Sequence, residues 1–421
     1  MDKIVIAGLE INRVSITKLL FNKAMLVAYV LLAIGVYGIY EAFSERYFSI
    51  VANAHSAGLD LLNPELKEAM KEAVFGHVGE VSRENPWTLF IVNYMYMIYT
   101  GSGIIFLVAL AELMKIEVVA KAAAGFMAVG LSMVFAGLFT IATDLNMLNM
   151  LSMITSPNFN AGMWLMLPLY LIYIPFVLFE IYLLITNKRE WAKRLAVPVL
   201  LLSVGVDIIE YFIQAKLFSM NVARHLWTEF PALTFYFIIS AFVSSLGVMG
   251  IYSFFDYRKT PIYEDLMEVI RKALLFFITI LGAYEILAYL IVDKSWAFLI
   301  LFGPFKLAYF GGYIFLTMTL PFLLTFRKGH PTLVIWASLS TIIGGYIGRY
   351  LFVYGGNANP LSDRFGVGYE KYDFYAIAST FNYEWPHMAE VFIVIGSFGV
   401  VLAVYKIVNT LFSVSELRDN H

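Results

Sequence analysis

The sequence predicts an all-α polytopic membrane protein with about ten transmembrane helices. Hydrophobic residues fill 60% of its 421 positions and charged residues only 14%, whereas soluble domains are usually about 45 to 50% apolar. Apolar segments of about 20 residues recur along the chain, and a helix of that length crosses about 30 Å of hydrocarbon. Basic residues are unevenly divided between the links that join these segments, which is typical of a multi-pass membrane protein.

Each predicted span is a nearly continuous run of apolar residues with few charges. The first run follows a polar leader and lacks a small-residue cleavage site, so we expect an uncleaved transmembrane helix and not a signal peptide. In chain order, the spans lie at roughly 23 to 43, 87 to 113, 118 to 142, 162 to 186, 194 to 217, 231 to 256, 268 to 292, 305 to 326, 332 to 355 and 388 to 410.

The distribution of Lys and Arg predicts the orientation of these spans. An even number of spans puts both termini on one side, and the links on that side hold more basic residues than the longer links opposite. Because basic links stay in the cytoplasm, we expect both termini there, in a protein of the cell (plasma) membrane. The links at 44 to 86, 143 to 161 and 356 to 387 then lie outside.

Cysteine and histidine usage narrows the range of cofactors. The chain has no cysteine, which excludes thiolate-held iron–sulfur clusters and covalently attached c-type haem in this chain. Its six histidines all fall in links, span borders or the tail, whereas a haem inside a bundle needs two facing histidines. We therefore expect no haem, no iron–sulfur cluster and no metal site. The net charge of −2 gives no indication of a nucleic-acid partner.

The second half of the chain repeats the plan of the first. Asp293 and Gly311 follow Asp144 and Gly162 at an interval of about 150 residues. This spacing predicts two four-helix bundles, spans 2 to 5 and spans 6 to 9, flanked by spans 1 and 10. The predicted regions are a cytoplasmic leader, first transmembrane helix and outer amphipathic link at 1–86, a first bundle at 87–217, a second bundle at 218–355, and an outer loop, last transmembrane helix and cytoplasmic tail at 356–421.

A polar link between spans three and four, from Ala142 to Trp164, is the first candidate site. It opens with Asp144 at a helix end and closes with Asn160 and Gly162 before the next helix. A carboxylate, amides, a Trp and several flexible Met side chains can hold a ring-shaped, lipid-soluble ligand by its polar edge. The alternative interpretation is an ordinary interhelical loop.

Span five carries polar residues at i, i+3, i+4 and i+7, namely Asp207, Glu210, Tyr211 and Gln214. This spacing puts them on one stripe of the helix. The stripe cannot face lipid, because Asp207 and Glu210 lie about 15 Å and about 10 Å below the outer end of the span. We expect these acids to form a proton path or a buried ion pair.

Other spans also contain polar residues. Asn93 and Ser102 of span two point to different sides of their helix, because they are separated by about two and a half turns. Glu285 lies about 10 Å below the outer surface, and Arg349 lies within span nine. An unpaired charge is costly there, so we expect an acid such as Glu285 or Glu390 to neutralise Arg349.

Several segments share the sequence pattern of a known family. They resemble the integral membrane subunits of the polysulfide reductase or NrfD type, which include the quinol-oxidising membrane subunits of alternative complex III. The resemblance covers nearly the whole chain in plan. The segments that carry it are Trp87 to Asn93, Asp144-Leu145-Asn146, Ser156-Pro157, Gly162-Met163-Trp164, Gly348-Arg349-Tyr350, Gly355-Gly356, Pro360, Tyr383-Glu384-Trp385-Pro386, Glu390 and Gly396.

Two positions depart from the family pattern. Ser102 stands where many relatives carry a histidine, and Asn146-Met147 stand where they carry Gly-Arg after the Asp. A serine cannot replace a histidine as a base near neutral pH. Asp144 therefore becomes the candidate catalytic residue that exchanges a proton with the quinone.

The resemblance implies a membrane subunit of a respiratory oxidoreductase complex, itself either non-catalytic or quinone-reactive. It would exchange electrons between a quinone or quinol, of the menaquinone or ubiquinone type, and an iron–sulfur partner subunit on the outer face, with a molybdopterin-type catalytic subunit beyond it. Proton translocation is an associated expectation. The candidate quinone-binding residues are Asn93, Ser102, Asp144, Asn146 and Trp164, and the candidate proton-path residues are Asp207, Glu210, Glu285, Arg349 and Glu390.

Two other classes of protein compete with this interpretation. A secondary transporter also has about ten spans in two similar units with buried charges. Carriers, however, usually show inverted repeats with broken helices, whereas two repeats of four spans each have the same orientation in the membrane. A purely structural anchor would not need acids inside the membrane. An iron–sulfur protein that co-purifies with the chain would distinguish the first interpretation from both alternatives.

Overall fold

The computed structural model describes residues 3–6, 9–12, 16–56, 64, 87–145, 154–158, 162–186, 190–220, 225–228, 232–291, 301, 303, 305–358 and 385–412. The first of these form an antiparallel hairpin, in which β1 (Lys3–Ile6) pairs with β2 (Leu9–Asn12). A short helix, α1 (Ile16–Leu20), follows the hairpin. All other regular structure in the described ranges is helical.

Long helices form the remainder of the described fold. Their sequences are nearly continuous apolar runs, and a helix satisfies its backbone polar groups internally, as hydrocarbon requires. The first half contains α2 (Lys23–Ser56), α3 (Leu89–Leu113), α4 (Glu117–Asp144), α5 (Gly162–Ile185) and α6 (Glu190–Ser219). The second half contains α7 (His225–Thr228), α8 (Leu233–Asp256), α9 (Tyr263–Ile291), a π-helix (Leu307–Thr319) continued by α10 (Leu320–Thr325), α11 (Pro331–Ala358) and α12 (Met388–Leu411).

Within the described ranges, nine helices are long and apolar enough to cross a membrane. They coincide with predicted spans one to six and eight to ten. The remaining predicted span, at 268 to 292, lies on α9. The prediction of an all-α polytopic membrane protein is therefore confirmed.

The helices pack as two four-membered rings. In the first bundle, α3 contacts α4 and α6, and α5 closes the ring between them. In the second bundle, α8 contacts α9 and α11, while the π-helix and α10 pack between α9 and α11. The two bundles meet where α3 contacts α8 and α11 and where α6 contacts α8.

The first and last predicted spans pack on each other and on the first bundle. The contact between α2 and α12 is close because glycines face each other: a Cβ on Gly35 would lie 2.7 Å from the Cα of Gly396. Through α12, this pair also contacts α4 and α3. The boundaries of the four predicted regions, 1–86, 87–217, 218–355 and 356–421, stay a prediction.

The helices alternate in direction, so each bundle has two chemically different ends. We call one end the Asp144 end; there α3, α5, α8 and α12 begin, and α4, α6, α9 and α11 finish. Contacts at this end join distant parts of the chain, including Leu89 with Glu390 and Trp87 with Asn357. The other end is called the opposite end.

Some predicted features lie outside the described residues. They include most of the outer amphipathic link between α2 and α3, most of the polar link between α4 and α5 with Asn146 and Asn160, and the residues Asp293 and Pro360. The parts of the link that are described are 142–145, 154–158 and 162–164.

Glycines allow α3 and α4 to approach closely. A Cβ on Gly101 would lie 2.6 Å from the carbonyl oxygen of Gly130, and a Cβ on Gly130 would lie 2.8 Å from the carbonyl oxygen of Gly101. Each obstacle is backbone, which cannot move aside as a side chain can. Small residues at such crossings are the usual means by which membrane helices pack.

We predict that Gly101→Ala destabilises the fold by about 1 to 3 kcal/mol, because the new methyl group has to push two helices apart. Gly282→Ala is the matched control, since no atom lies within 4 Å of a Cβ added there and alanine favours helix. Thermal unfolding in detergent measures both variants. Equal stability of the two variants would contradict the packing described here.

Candidate functional site

A buried polar face on α6 is the largest polar feature of the first bundle. Asp207, Glu210, Tyr211 and Gln214, together with Ser203, are almost completely buried, with 0 to 2% exposure. The neighbouring lipid-side residues of the same helix, such as Ile209 and Phe212, are more than half exposed. The stripe inferred from the spacing therefore faces the bundle interior.

Glu210 accepts a hydrogen bond from a hydroxyl group of the neighbouring helix. Tyr170 of α5 donates a hydrogen bond of 2.8 Å to Oε1 of Glu210. Gln214 donates to the hydroxyls of both Tyr170 and Tyr94 at 3.1 Å, which extends the hydrogen-bonded chain toward the Asp144 end. Oε2 of Glu210 is buried without a hydrogen-bond partner among the described residues.

Asp207 lies one turn further from the Asp144 end on the same face. Both of its carboxylate oxygens are buried and lack a hydrogen-bond partner in the described part of the chain, as does the hydroxyl of Tyr173. These two side chains lie close enough to interact electrostatically. Buried polar groups normally have partners, and a polar space is where internal water is found.

A third acid, Glu180 of α5, extends the polar face toward the opposite end. It is 3% exposed, and Ser203 of α6 donates to its Oε2 at 3.2 Å. Its Oε1 is another buried oxygen that lacks a described partner. Sequence reasoning missed Glu180, although the signal was present: it is the only acid within the apolar run from 162 to 186.

The buried acid of the second bundle, Glu285 of α9, is held by two tyrosines. Tyr309 and Tyr313 donate hydrogen bonds of 3.0 and 2.8 Å to its two oxygens. Both tyrosines belong to the π-helix, a rare conformation that is often found at functional sites. Tyr236 of α8 donates in turn to Tyr313 at 3.2 Å. The sequence showed the acid but gave no sign of its partners.

Arg349 is not paired as predicted. In the described part of the chain, no carboxylate lies within 4.0 Å of its guanidinium group, so neither Glu285 nor Glu390 forms the expected ion pair. Instead, Nη2 donates to Ser240 at 2.7 Å. The guanidinium carbon lies 4.9 Å from the ring centre of Tyr99. Aromatic faces attract a desolvated cation, which explains how the charge is tolerated without an adjacent acid.

Two acids approach each other at the Asp144 end. Glu390 of α12 is 7% exposed and accepts a hydrogen bond of 3.4 Å from the backbone N–H of Leu89, at the start of α3. A helix N-terminus favours a negative charge in this position. Asp144 and His387 lie close enough to act on Glu390 electrostatically. Asp144 itself is half-buried.

Below these acids, a hydrogen-bonded cluster joins three helices. Asn93 of α3 donates to Thr140 of α4 at 2.8 Å and to Ser397 of α12 at 3.0 Å. Thr140 lies one turn before Asp144 on α4, so the cluster continues inward from the acid pair. The side-chain oxygen of Asn93 is buried and has no described hydrogen-bond partner.

An aromatic cluster lies beside the acid pair at the same end. The ring of Trp87 lies 4.4 Å from those of Trp227 and Phe218. Trp227 is anchored by a hydrogen bond of 2.8 Å to the backbone oxygen of Phe352. The carbonyl of Trp87 accepts a hydrogen bond from Asn357. These contacts connect both bundles at the Asp144 end.

The structure divides the predicted quinone-binding residues between two places. Asn93 and Asp144 belong to the face of α3 and α4 that meets α12, whereas Ser102 contacts Tyr211 on the α6 side at 3.1 Å. Trp164 lies half-buried in the first turn of α5. Asn146 lies outside the described residues, so its assignment stays a prediction. The roles of all these residues, and of the proton-path acids, also stay predictions.

No group of three or more metal-binding side chains is found among the residues that the structure describes. The arrangement instead offers carboxyl, hydroxyl and amide groups in a largely apolar interior. Such groups can bind and transfer protons. They can also position a neutral organic ligand by hydrogen bonds.

Comparison with known proteins identifies a family. The family described as polysulphide reductase, NrfD, matches residues 77–360, which is more than half of the chain. The match includes α3 to α11, and it stops before α12, which carries Glu390. No curated protein matches the chain. The alternative of a secondary transporter gains no support from this comparison.

We predict that Asn93 and Ser397 stabilise the fold as a pair. Asn93→Ala and Ser397→Ala should each lower the free energy of unfolding, and the double variant should lose less than the sum by about 0.6 to 1.5 kcal/mol. The control pairs Asn93→Ala with Ser102→Ala, which should be additive because the two residues face different helices. Additive losses for Asn93 and Ser397 would contradict this coupling.

Proposed function

Because the chain belongs to the polysulphide reductase NrfD family, we propose that it exchanges electrons between a membrane quinone or quinol and an iron–sulfur partner subunit of a respiratory oxidoreductase complex. A molybdopterin-type catalytic subunit is the expected third member, in contact with the iron–sulfur subunit. The Asp144 end is assigned to the outer face of the cell membrane, with both termini in the cytoplasm, on the basis of the Lys and Arg distribution.

The reaction requires a site that handles protons and electrons together. Oxidation of a quinol releases two electrons and two protons, and reduction of a quinone takes up the same numbers. A carboxyl group at the edge of the membrane can accept or supply such a proton. Asp144 is half-buried beside the buried Glu390, and this pairing at the end of the first bundle is the observation that carries the proposal.

The residues at the Asp144 end suit a quinone head group. Its flat ring needs apolar or aromatic surfaces, which Trp164 and the Trp87 cluster offer. Its oxygens need groups that donate or accept a hydrogen bond, which Asp144 and Glu390 provide in their two protonation states. The side-chain oxygen of Asn93, which has no hydrogen-bond partner within the described ranges, is a further acceptor in the same three-helix cluster. Asn146 is retained as a contact from the sequence pattern.

Electrons have to leave or reach this site through another protein. The chain has no cysteine, so a thiolate-held iron–sulfur cluster belongs to a partner subunit. Such a partner would bind over the Asp144 end, where Trp385 is 83% exposed in front of α12. Exposed aromatic residues of this kind are common at protein interfaces.

The buried acids provide a route for protons through the first bundle. Glu180, Asp207 and Glu210 are spread along the contact between α5 and α6, and Tyr170 and Gln214 continue from Glu210 toward the Asp144 end. Several oxygens along this line lack partners within the described protein, which fits internal water between them. Intramembrane acids of this kind are typical of proton relays. Glu285, Arg349 and Glu390 are assigned to the same proton system.

The proposed function is tested by purifying the chain with its native partners. A tag on this chain should recover an iron–sulfur protein, visible by its paramagnetic resonance spectrum after reduction, and quinol or quinone analogues should change the redox state of that cluster. A chain that purifies without any redox partner, or a partner whose cluster ignores quinone, would contradict the proposal.

We predict that Asp144→Asn slows quinone turnover by about tenfold to about a hundredfold while the complex still assembles, because the amide cannot accept the proton. The control is Asp256→Asn, which removes an acid at the opposite end of α8, where Tyr252 donates to it. Turnover is measured with the intact complex. Equal turnover of both variants would remove Asp144 from the reaction.

For the interior acids, we predict that Asp207→Asn reduces turnover or proton movement in vesicles more than it reduces assembly. The asparagine side chain fills nearly the same space, but its amide cannot take up and release a proton as the carboxyl group does. Glu112→Gln serves as the comparison, because Glu112 is a half-buried acid at the opposite end of α3. If Asp207→Asn fails to assemble while Glu112→Gln assembles normally, the acid has a structural role instead.

A further inference from the structure

Arg349 lies between the two bundles, and one of its donor groups lacks a hydrogen-bond partner in the part of the chain that the structure describes. Its side chain is 4% exposed, and Nη2 binds Ser240 of α8. The guanidinium group also lies 5.3 Å from the ring centre of Phe237 and 5.7 Å from that of Tyr236. Nη1 is buried and has no hydrogen-bond partner among the described residues. The cation is thus held by one hydrogen bond and by aromatic rings, and no ion pair fixes it to one acid within the described residues.

Toward the first bundle, the contacts of Arg349 lead to Glu210. The ring of Tyr99 lies under the guanidinium group and 5.1 Å from the ring of Tyr211. Tyr211 donates to the backbone oxygen of Tyr99 at 3.0 Å and directly follows Glu210 on α6. The hydroxyl of Tyr99 and Oε2 of Glu210 are both buried without described partners. Three buried polar groups on this side therefore lack a described hydrogen-bond partner. They belong to Arg349, Tyr99 and Glu210.

Toward the second bundle, the contacts lead to Glu285. The ring of Tyr236 faces Arg349, and its hydroxyl donates to Tyr313, which donates to Glu285. Arg349, Glu210 and Glu285 all lie about 9 to 14 Å from the Asp144 ends of their helices, counted at 1.5 Å per residue. The three charged groups therefore lie at similar depths in the membrane.

We propose that Arg349 is a shared counter-charge for Glu210 and Glu285, so that a negative charge on either acid weakens the ability of the other to release its proton. This inference rests on the proton path of the proposed function and adds a link between the two bundles. Arg349 is a buried cation that contacts an aromatic ring on each side, Tyr99 toward Glu210 and Tyr236 toward Glu285. Both acids in their charged form would leave a net negative charge in a medium that solvates charge poorly.

The groups around Arg349 support this assignment. The titratable side chains that interact electrostatically with Arg349 in the described part of the chain are tyrosines, which are neutral below about pH 10. They are Tyr96 and Tyr99 on α3, Tyr211 on α6 and Tyr236 on α8. None of these tyrosines therefore neutralises the charge of Arg349 below that pH.

The coupling is tested by infrared spectroscopy of the full-length chain in lipid nanodiscs. The carbonyl band of protonated Glu285 is assigned by its loss in Glu285→Gln, and its intensity is followed with pH. In Glu210→Gln, Arg349 serves Glu285 alone, so the band should disappear at a lower pH. The expected shift is about one pH unit, which is a tenfold change in the proton affinity of Glu285.

A second set of variants assigns the effect to Arg349. In an Arg349→Gln background, the Glu285 band should persist to higher pH, and Glu210→Gln should shift it by less than half as much. Arg349→Lys keeps the charge and should preserve the shift in part, which also covers the case that Arg349→Gln does not fold. Asp256→Asn, a charge change at the opposite end of α8, should leave the band unchanged.

The outcomes separate this inference from the proposed function, because the spectra require neither quinone nor a partner subunit. A shift with Glu210→Gln that shrinks without Arg349 supports the coupling, even in a chain that shows no quinone turnover. No shift with Glu210→Gln, or the same shift with and without the arginine, overturns it.

Discussion

Charged side chains within these bundles are removed from bulk water, so each needs polar or aromatic partners in the interior. The structure meets this need in three ways. Tyrosine hydroxyls bind Glu210 and Glu285. Aromatic faces and one serine hold Arg349. A helix N-terminus receives Glu390. Because every partner comes from a different helix, these contacts also determine which helices pack together.

This dependence gives the two bundles different chemical characters. In the first, three acids lie along one helix contact and several of their oxygens lack partners in the described protein. In the second, the two oxygens of Glu285 are both satisfied. A partly satisfied polar network can exchange protons with water, whereas a fully satisfied one holds its proton state more firmly. The proposed proton path is therefore assigned to the first bundle.

The sequence predicted the spans and the inward polar stripe because both follow from simple periodicity. Apolar runs of membrane length determine the helices, and the i, i+3, i+4 spacing put Asp207 and Glu210 on one face. The sequence-based prediction of an acidic partner for Arg349 was wrong. A sequence shows that a buried cation needs compensation, but it does not show whether a carboxylate or a set of aromatic rings provides it. The rings belong to three residues on two other helices, Tyr99, Tyr236 and Phe237.

The division between Asn93 and Ser102 was visible from their spacing, whereas the destination of each was not. Three-helix contacts such as those of Asn93 with Thr140 and Ser397 depend on tertiary packing across more than 300 residues of chain. Glu180 is a different case, since a lone acid in an apolar span was a readable signal of a buried functional group.

The most direct test of the central claim is the location of quinone itself. A photoreactive quinone analogue, applied to the intact complex and mapped by mass spectrometry, should label peptides at the Asp144 end, especially those that contain Asp144, Trp164 or Glu390. An excess of unmodified quinol should abolish that labelling. Competed labelling confined to the opposite end of the bundles, or no competed labelling of this chain, would contradict the account.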